Sequence, residues 1–181
     1  MSKPLPSVIT VGLTAITAFS VLFATQLITQ PIIENRLNQT YLHLLDLASF
    51  TGYQLGDVES ATGDLLEAGI QSYRTYSIDQ EIVAMTYEVV TSGYAQGLTF
   101  QIGIREGLIR KLIIIKHGET VGFGADALLD FPEALETLSL TDTNAWTAAL
   151  LAVSTGATFT RRGVINSLMA IRDDYATRVG G

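Results

Sequence analysis

A short segment rich in hydroxyl groups is the first place in the chain where chemistry could occur. Residues 153–160 read VSTGATFT, in which four hydroxyl side chains surround one glycine. Glycine lets a ligand approach the backbone closely, and a hydroxyl oxygen can either bind a phosphate or be esterified by one. The composition therefore suits a phosphate cradle or a cofactor attachment site, and it also suits an ordinary turn.

A helix is predicted to begin directly behind this segment, near Thr160 to Gly163. The first N–H groups of a helix lack acceptors, and the partial positive charge of its N-terminus attracts anions. Arg161 and Arg162 could add charge-assisted hydrogen bonds. A helix start capped by Ser or Thr is the simpler explanation on these grounds alone. A Walker loop is excluded, because the sequence lacks G-x-x-x-x-G-K-[ST].

A second candidate segment is HGETVGFGAD, residues 117–126. Its three glycines, at positions 118, 122 and 124, allow the backbone to fold tightly around something flat. Glu119 and Thr120 add an acceptor and a hydroxyl at the end of a predicted strand. A long surface turn between a strand and a helix explains the same pattern. His117 and Glu119 could form an acid–base pair, but residues i and i+2 of any extended segment share a face, so their spacing is weak evidence.

Composition excludes several other kinds of site. The chain has no cysteine, which rules out disulfides, iron–sulfur ligation and thiol nucleophiles within it. Its two histidines lie far apart in sequence, which argues against a histidine-rich metal site. The motifs G-x-S-x-G, S-x-x-K and H-E-x-x-H are missing, so no catalytic residue is predicted. Residues 34–181 carry a formal charge of −8, which disfavours nucleic acid as a partner.

The N-terminal segment has the composition of a membrane anchor. The 30 positions from Pro4 to Ile33 hold no charged residue, and roughly 20 apolar residues suffice for a helix to span a bilayer. A cleaved signal peptide would have a shorter apolar core, whereas here the apolar residues continue past the possible cleavage site at Ala18–Ser20. The sequence therefore predicts a tail and one transmembrane helix in residues 1–33 and a separate domain in residues 34–181.

The few charges near this helix also predict an orientation. Lys3 and the free amino terminus precede the apolar run, and positively charged flanks favour the cytoplasmic side. The expected location is the cytoplasmic (inner) membrane, crossed once, with the C-terminal domain on the extracytoplasmic side.

The domain in residues 34–181 is predicted to be α+β, with an antiparallel sheet flanked by helices. IVAMTYEVV, LTFQIGIRE and LIRKLIIIKH read as successive strands, with a turn at SGYAQG and a tight hairpin at Glu106-Gly107. Strict alternation puts one apolar set on the buried face: Leu98, Phe100, Ile102 and Ile104. The glycine-containing stretch 51–63 is predicted to be irregular, followed by a short helix near residues 64–68.

Further helices are predicted on both sides of the strands. ENRLNQTYLHLLDLASF shows helical spacing before them, and PEALETL follows them as a short helix with Pro132 in its first turn. AWTAALLAV is expected to be capped by Thr143 or Asn144. The last helix, VINSLMAIRDDYATR, should bury Val164, Leu168, Ile171 and Tyr175, and its Asp173-Asp174 pair should lie in solvent.

The order of these segments resembles a known family. An apolar N-terminal segment is followed by a Gly-Tyr turn before alternating strands, then by H-x-E-T-x-G-x-G, and then by T-G-A-T-x-T with an arginine and a Val-x-Asn helix behind it. This arrangement is similar to the G subunit of the Rnf electron-transport complex, which shares its FMN-binding domain with the C subunit of the sodium-pumping NADH:quinone reductase. In that family the last threonine of [ST]-G-A-T carries FMN through a phosphoester.

The resemblance implies a set of cofactor-binding residues. Thr158 would carry the flavin covalently, and the H-x-E-T-x-G-x-G loop would lie against it. The residues so implied are Thr155, Gly156, Ala157, Thr158 and Thr160 in one motif, and Glu119, Thr120, Gly122 and Gly124 in the other.

The function implied is that of a membrane-anchored electron carrier rather than a free-standing enzyme. It would relay electrons through covalent FMN between other membrane subunits of an Rnf-type ion-translocating complex, after loading by a flavin transferase. Ala152 departs from the pattern, since the transferase signal has an acidic residue six positions before the acceptor. This departure favours two alternatives: a degenerate, non-redox scaffold subunit, or a membrane-bound module that holds FMN without a covalent bond.

Overall fold

The structure is a computed structural model that describes residues 11, 14–27, 29, 43–45, 52–122, 124–154 and 156–179. The chain divides into two compact units, Met1–Thr40 and Tyr41–Gly181. The predicted boundary between residues 33 and 34 is not tested by this division and stays a prediction.

The described part of the first unit is helical over residues 14–27, with exposed side chains. Its hydroxyl groups bond to the helix's own backbone, as when the Ser20 hydroxyl donates to the Ile16 carbonyl at 2.8 Å. The prediction of a single transmembrane helix in residues 1–33 is wrong for the part of the chain that the structure describes, where no helix is long and apolar enough to cross a membrane.

The second unit contains a five-stranded antiparallel sheet whose strands follow one another in sequence order. The strands are β1 (Gln54–Ser60), β2 (Ile70–Ile78), β3 (Glu81–Ser92), β4 (Gln96–Arg105) and β5 (Leu108–Lys116). Four described helices accompany them: α1 (Asp64–Glu67), α2 (Gly124–Leu135), α3 (Thr143–Val153) and α4 (Thr158–Val179). The α+β class and the antiparallel sheet with helices are confirmed.

The main core lies between one face of the sheet and the three longer helices. The alternating residues of β4 that were predicted to be buried are all fully buried, and the same holds for Val164, Leu168 and Ile171 of α4. Phe131 of α2 and Trp146 of α3 complete this cluster. Alternation in a strand and i, i+3, i+4 spacing in a helix therefore identified the two surfaces that pack together.

The opposite face of the sheet is also partly covered. Leu44 and Leu45 are buried, and the Arg105 guanidinium donates to the Leu45 carbonyl at 2.8 Å. A side chain at Gly103 would overlap the Leu44 carbonyl, so this glycine permits the close approach of the segment. The remainder of the predicted helix in residues 34–50 lies outside the described residues.

Two strands were missed by the sequence analysis. The stretch predicted to be irregular contains β1, and β2 was not predicted at all. Strand β1 is exposed along almost its whole length, so it shows no alternation of apolar and polar residues that would predict a strand. It joins the sheet through antiparallel backbone hydrogen bonds to β2. Short helix α1 and the Glu106-Gly107 hairpin were predicted correctly; positive φ angles of 55° and 71° at the hairpin match a type I′ turn.

The starts of the three longer helices differ from those predicted. Helix α2 begins at Gly124, so Pro132 lies inside it and not in its first turn. Helix α3 is capped by the Asp142 carboxylate, which accepts from the Ala145 amide at 2.9 Å, and not by Thr143 or Asn144. Helix α4 begins at Thr158.

The carboxyl end of α4 is tied to the sheet by a polar network. The Tyr87 hydroxyl donates to Asp174 Oδ2 at 2.9 Å, and Arg178 Nε donates to Asp174 Oδ1 at 2.8 Å. Burial, together with the nearby Asp174 charge, raises the pKa of Tyr87 well above its usual value. The prediction of a solvated aspartate pair is therefore wrong for Asp174, although Asp173 is exposed and pairs with Arg172.

Candidate functional site

Three segments meet at one end of the sheet and line an open cavity of ≈ 350 Å³. They are the turn between β3 and β4, the loop that leaves β5, and the start of α4. Among the described residues, those that line the cavity are Tyr94, Glu119, Thr120, Gly124, Gly156, Ala157, Phe159 and Thr160. The structure thus brings together the two motifs that the sequence analysis singled out, which are about 40 residues apart in the chain.

Glu119 is the residue that joins all three segments. Its side chain is only 7% exposed, and Oε2 accepts from the Thr160 hydroxyl at 2.8 Å. Its Oε1 accepts from the Ala95 amide at 3.2 Å. Both carboxylate oxygens therefore bond to the protein, as burial of a charged group requires. His117, the other member of the possible acid–base pair, is exposed.

Two glycines make room for this carboxylate. A Cβ at Gly93 or at Gly124 would overlap the Glu119 carboxylate, and it would come within 3.0 or 2.9 Å of the Thr160 hydroxyl oxygen. Gly124 was predicted to let the backbone wrap around a flat ligand. In the structure it is the first residue of α2, and it allows α2 to approach the Glu119 side chain.

The hydroxyl-rich segment forms the start of α4. Thr158 is its first residue and is exposed, while Gly156 has a φ of 82°, a conformation that glycine adopts without strain. The Ala157 amide donates to the Ser154 carbonyl at 3.1 Å, which forms the turn before the helix. The first N–H groups of such a helix have no intrahelical acceptor, and they can bind an anion.

The helix is held close to the sheet by its own glycine. A side chain at Gly163 would overlap the carbonyl oxygen of Ser92, at the end of β3. This close approach places the start of α4 beside the β3–β4 turn, so both contribute to the cavity wall.

The two arginines of the segment lie away from the cavity lining. The Arg161 guanidinium donates to the Ser154 hydroxyl at 2.8 Å, and Ser154 is buried. Arg162 is exposed. The contact of Arg161 fixes the turn that precedes α4, which is a different role from the phosphate contact that the sequence suggested.

Of the implied site residues that the structure describes, Gly122 and Thr158 do not line the cavity. Gly122 is exposed, and its amide donates to the Asp126 carboxylate at 3.2 Å. Thr155 lies outside the described residues. Conversely, Tyr94 and Phe159 line the cavity although the sequence analysis did not select them. Their signal was available, because Tyr94 belongs to the Gly-Tyr turn and Phe159 is a large apolar residue inside a hydroxyl-rich segment.

The residues present fit a flavin nucleotide. The cavity volume lies within the range of roughly 300–1,000 Å³ that is usual for small-molecule sites. Its lining offers aromatic and apolar surface for a flat ring, while the start of α4 offers N–H groups for a phosphate. The lining thus offers surface for a flat ring and N–H groups for a phosphate.

Comparison with protein families agrees with this fit. Residues 93–172 match the FMN-binding domain family. The match begins at the β3–β4 turn and ends within α4, and it includes all the described residues that line the cavity. Comparison with curated proteins finds no match.

Proposed function

We propose that this chain is a flavoprotein electron carrier in which FMN is joined to Thr158 by a phosphoester. The observation that carries the proposal is the position of Thr158, which is exposed at the start of α4, between cavity-lining residues Ala157 and Phe159. An exposed hydroxyl can be esterified without unfolding the helix. FMN, when bound, supplies the redox chemistry, and the protein sets its position and surroundings.

Groups at the start of α4 would bind the phosphate end of FMN. The free N–H groups of the first turn of α4 would bond to phosphate oxygens, and the helix dipole would favour their negative charge. Gly156 and Ala157 are small, so they leave access to the Thr158 hydroxyl. Glu119 is engaged with Ala95 and Thr160, so its contribution is to hold the cavity walls together.

The partners in this proposal are the other subunits of an Rnf-type ion-translocating complex. The support is the resemblance in the order and spacing of the two motifs, together with the FMN-binding domain at residues 93–172. The chain would relay electrons inside that complex and would not act as a free-standing enzyme. Maturation would require a flavin transferase, and the extracytoplasmic placement of the domain stays a prediction.

A second candidate is a module that binds FMN without a covalent bond. Ala152 favours it, because this exposed residue stands six positions before Thr158, where the transferase signal has an acidic side chain. The helix start and the cavity would hold the nucleotide in the same way. A scaffold subunit without flavin is the third candidate, and it rests on the same departure.

The test is loading of the full-length chain during coexpression with a flavin transferase. Flavin fluorescence on a denaturing gel and intact mass are measured for the wild type, Thr158→Ala and Thr158→Ser. Thr177→Ala is the matched control, since Thr177 is an exposed threonine at the other end of the same helix. A covalent carrier gives a fluorescent band with the added mass of FMN less one water in all but Thr158→Ala.

The other outcomes separate the remaining candidates. A band without flavin from a yellow native protein indicates the non-covalent module. A colourless protein of unmodified mass indicates the scaffold. Ala152→Asp restores an acidic residue to the signal position; if it converts an unlabelled chain into a labelled one, the departure at Ala152 is what limits loading.

A further inference from the structure

Two large, exposed side chains stand at the mouth of the cavity. Tyr94 is 76% exposed and Phe159 is 61% exposed, and both line the same cavity. Single exposed apolar residues are common on protein surfaces and need no explanation. Here, however, residues 65 positions apart in the chain bring two aromatic rings to one opening. Aromatic side chains in such places bind flat ligand rings by stacking.

The backbone next to each ring is fixed by one carboxylate. Tyr94 precedes Ala95, whose amide donates to Glu119 Oε1. Phe159 precedes Thr160, whose hydroxyl donates to Glu119 Oε2. Glu119 therefore links the two aromatic segments directly, through hydrogen bonds to the residue that follows each ring.

The turn that carries Tyr94 is closed on its other side as well. The Gly93 amide donates to the Ala95 carbonyl at 3.0 Å, so the residue on each side of Tyr94 makes a backbone hydrogen bond. Thr160 is fully buried, which anchors the first turn of α4 below Phe159. The residues next to both rings are thus held by hydrogen bonds, and such preorganisation lowers the entropy lost when a ligand binds.

We propose that Tyr94 and Phe159 bind the isoalloxazine ring of the flavin at the cavity mouth, and that Glu119 is the positioning residue that holds both. This inference rests on the proposed function, since it assumes that the cavity takes FMN. It adds the residues that contact the ring, whereas the proposed function concerns the phosphate end. Tyr94 and Phe159 differ in one useful respect, because only tyrosine readily gives an electron to an excited flavin.

That difference supplies an optical readout. In a stacked pair, an electron moves from the phenol to the excited flavin ring and then returns, so the emission is quenched and neither group is changed. Phenylalanine keeps the stacking surface and does not quench. Tyr94→Phe should therefore raise flavin fluorescence while leaving the ring immobile, and Tyr94→Ala and Phe159→Ala should let the ring move.

The experiment uses the full chain loaded with FMN, or supplied with free FMN if loading is not covalent. For each variant, flavin fluorescence is measured before and after unfolding in guanidinium chloride, and fluorescence anisotropy is measured on the folded protein. Leu129→Ala is the control, because Leu129 is 78% exposed on α2 and does not line the cavity. Comparing folded with unfolded protein corrects each variant for its own flavin content.

We expect the wild type and Leu129→Ala to be quenched in the folded state and Tyr94→Phe to be several-fold brighter with unchanged anisotropy. Both alanine variants should show lower anisotropy. With free FMN their affinity should fall about tenfold or more, by analogy with nucleic-acid bases stacked on aromatic side chains. Bound flavin with the same brightness and anisotropy in all variants would refute the ring contact and leave the flavin site intact. A chain that takes up FMN neither covalently nor from solution would refute the proposed function, and this inference with it.

Discussion

The hydrogen bond between Thr160 and Glu119 can be tested by removing one hydroxyl group. Thr160→Val keeps the branched shape of the side chain and deletes the donor that reaches Glu119 Oε2 at 2.8 Å. Because Glu119 is 7% exposed, water cannot fully replace the lost partner, and the Ala95 amide would be its remaining bond. Hydrogen bonds to charged groups contribute about 1.5–3 kcal/mol, so we expect a loss of about 2 kcal/mol in the free energy of unfolding.

The assay is urea denaturation of the full chain, with thermal unfolding as a second measure. For a protein of this size each 1 kcal/mol shifts Tm by about 2–4 °C, so Tm should fall by about 4–8 °C. The matched control is Thr177→Val on the same helix, where the hydroxyl is exposed and bonds only locally, so its effect should stay within about 0.5 kcal/mol.

A double-mutant cycle with Glu119→Gln separates this bond from other effects of the valine. If the two side chains act as one unit, the combined loss is smaller than the sum of the two single losses. The reasoning fails if Thr160→Val is as stable as Thr177→Val, or if the two losses simply add. Either result would mean that the carboxylate does not hold the start of α4 in place.

Two further predictions concern the packing around Glu119 and the far end of α4. Gly124→Ala should destabilise the chain by about 1–3 kcal/mol in urea, because its Cβ would overlap the Glu119 carboxylate. Gly118→Ala should cost clearly less, because the nearest atom to its added Cβ is the Ala95 methyl at 3.3 Å. Burial and Asp174 raise the pKa of Tyr87, so the folded chain keeps a proton that unfolded tyrosine loses near about pH 10. The contribution of Tyr87 to the free energy of unfolding is then fully present below about pH 10 and falls as the pH rises further. Tyr87→Phe should make this fall less steep, which urea denaturation at pH values on either side of about 10 would measure.

Sequence reasoning succeeded where a single periodic pattern governs burial. The β4 residues Leu98, Phe100, Ile102 and Ile104 are all buried because one face of that strand packs against the helices. The last helix was predicted for the same reason. Such patterns indicate which face of a strand or helix packs against the core, whichever element it packs against.

Sequence-based prediction failed where an element depends on residues that are distant in the chain. Strand β1 is exposed on both faces, and its pairing with β2 leaves no trace in its composition. Helix α2 was placed too late because Pro132 was read as a first-turn residue, although burial of Leu128, Phe131 and Leu135 extends the helix through it. The N-terminal segment was assigned from hydropathy alone, and no helix among the described residues is long and apolar enough to cross a membrane.

The site shows the same division between local and distant information. The two motifs could be found from residue types, but the sequence could not reveal that Glu119 is turned into the protein, toward Ala95 and Thr160. Gly124 was interpreted as room for a ligand, whereas it is room for that carboxylate. Glu119 of one motif and Thr160 of the other are therefore a single structural unit. It follows that losing either residue should disturb the position of Tyr94 and Phe159, and hence ring binding, even if Thr158 remains free to be esterified.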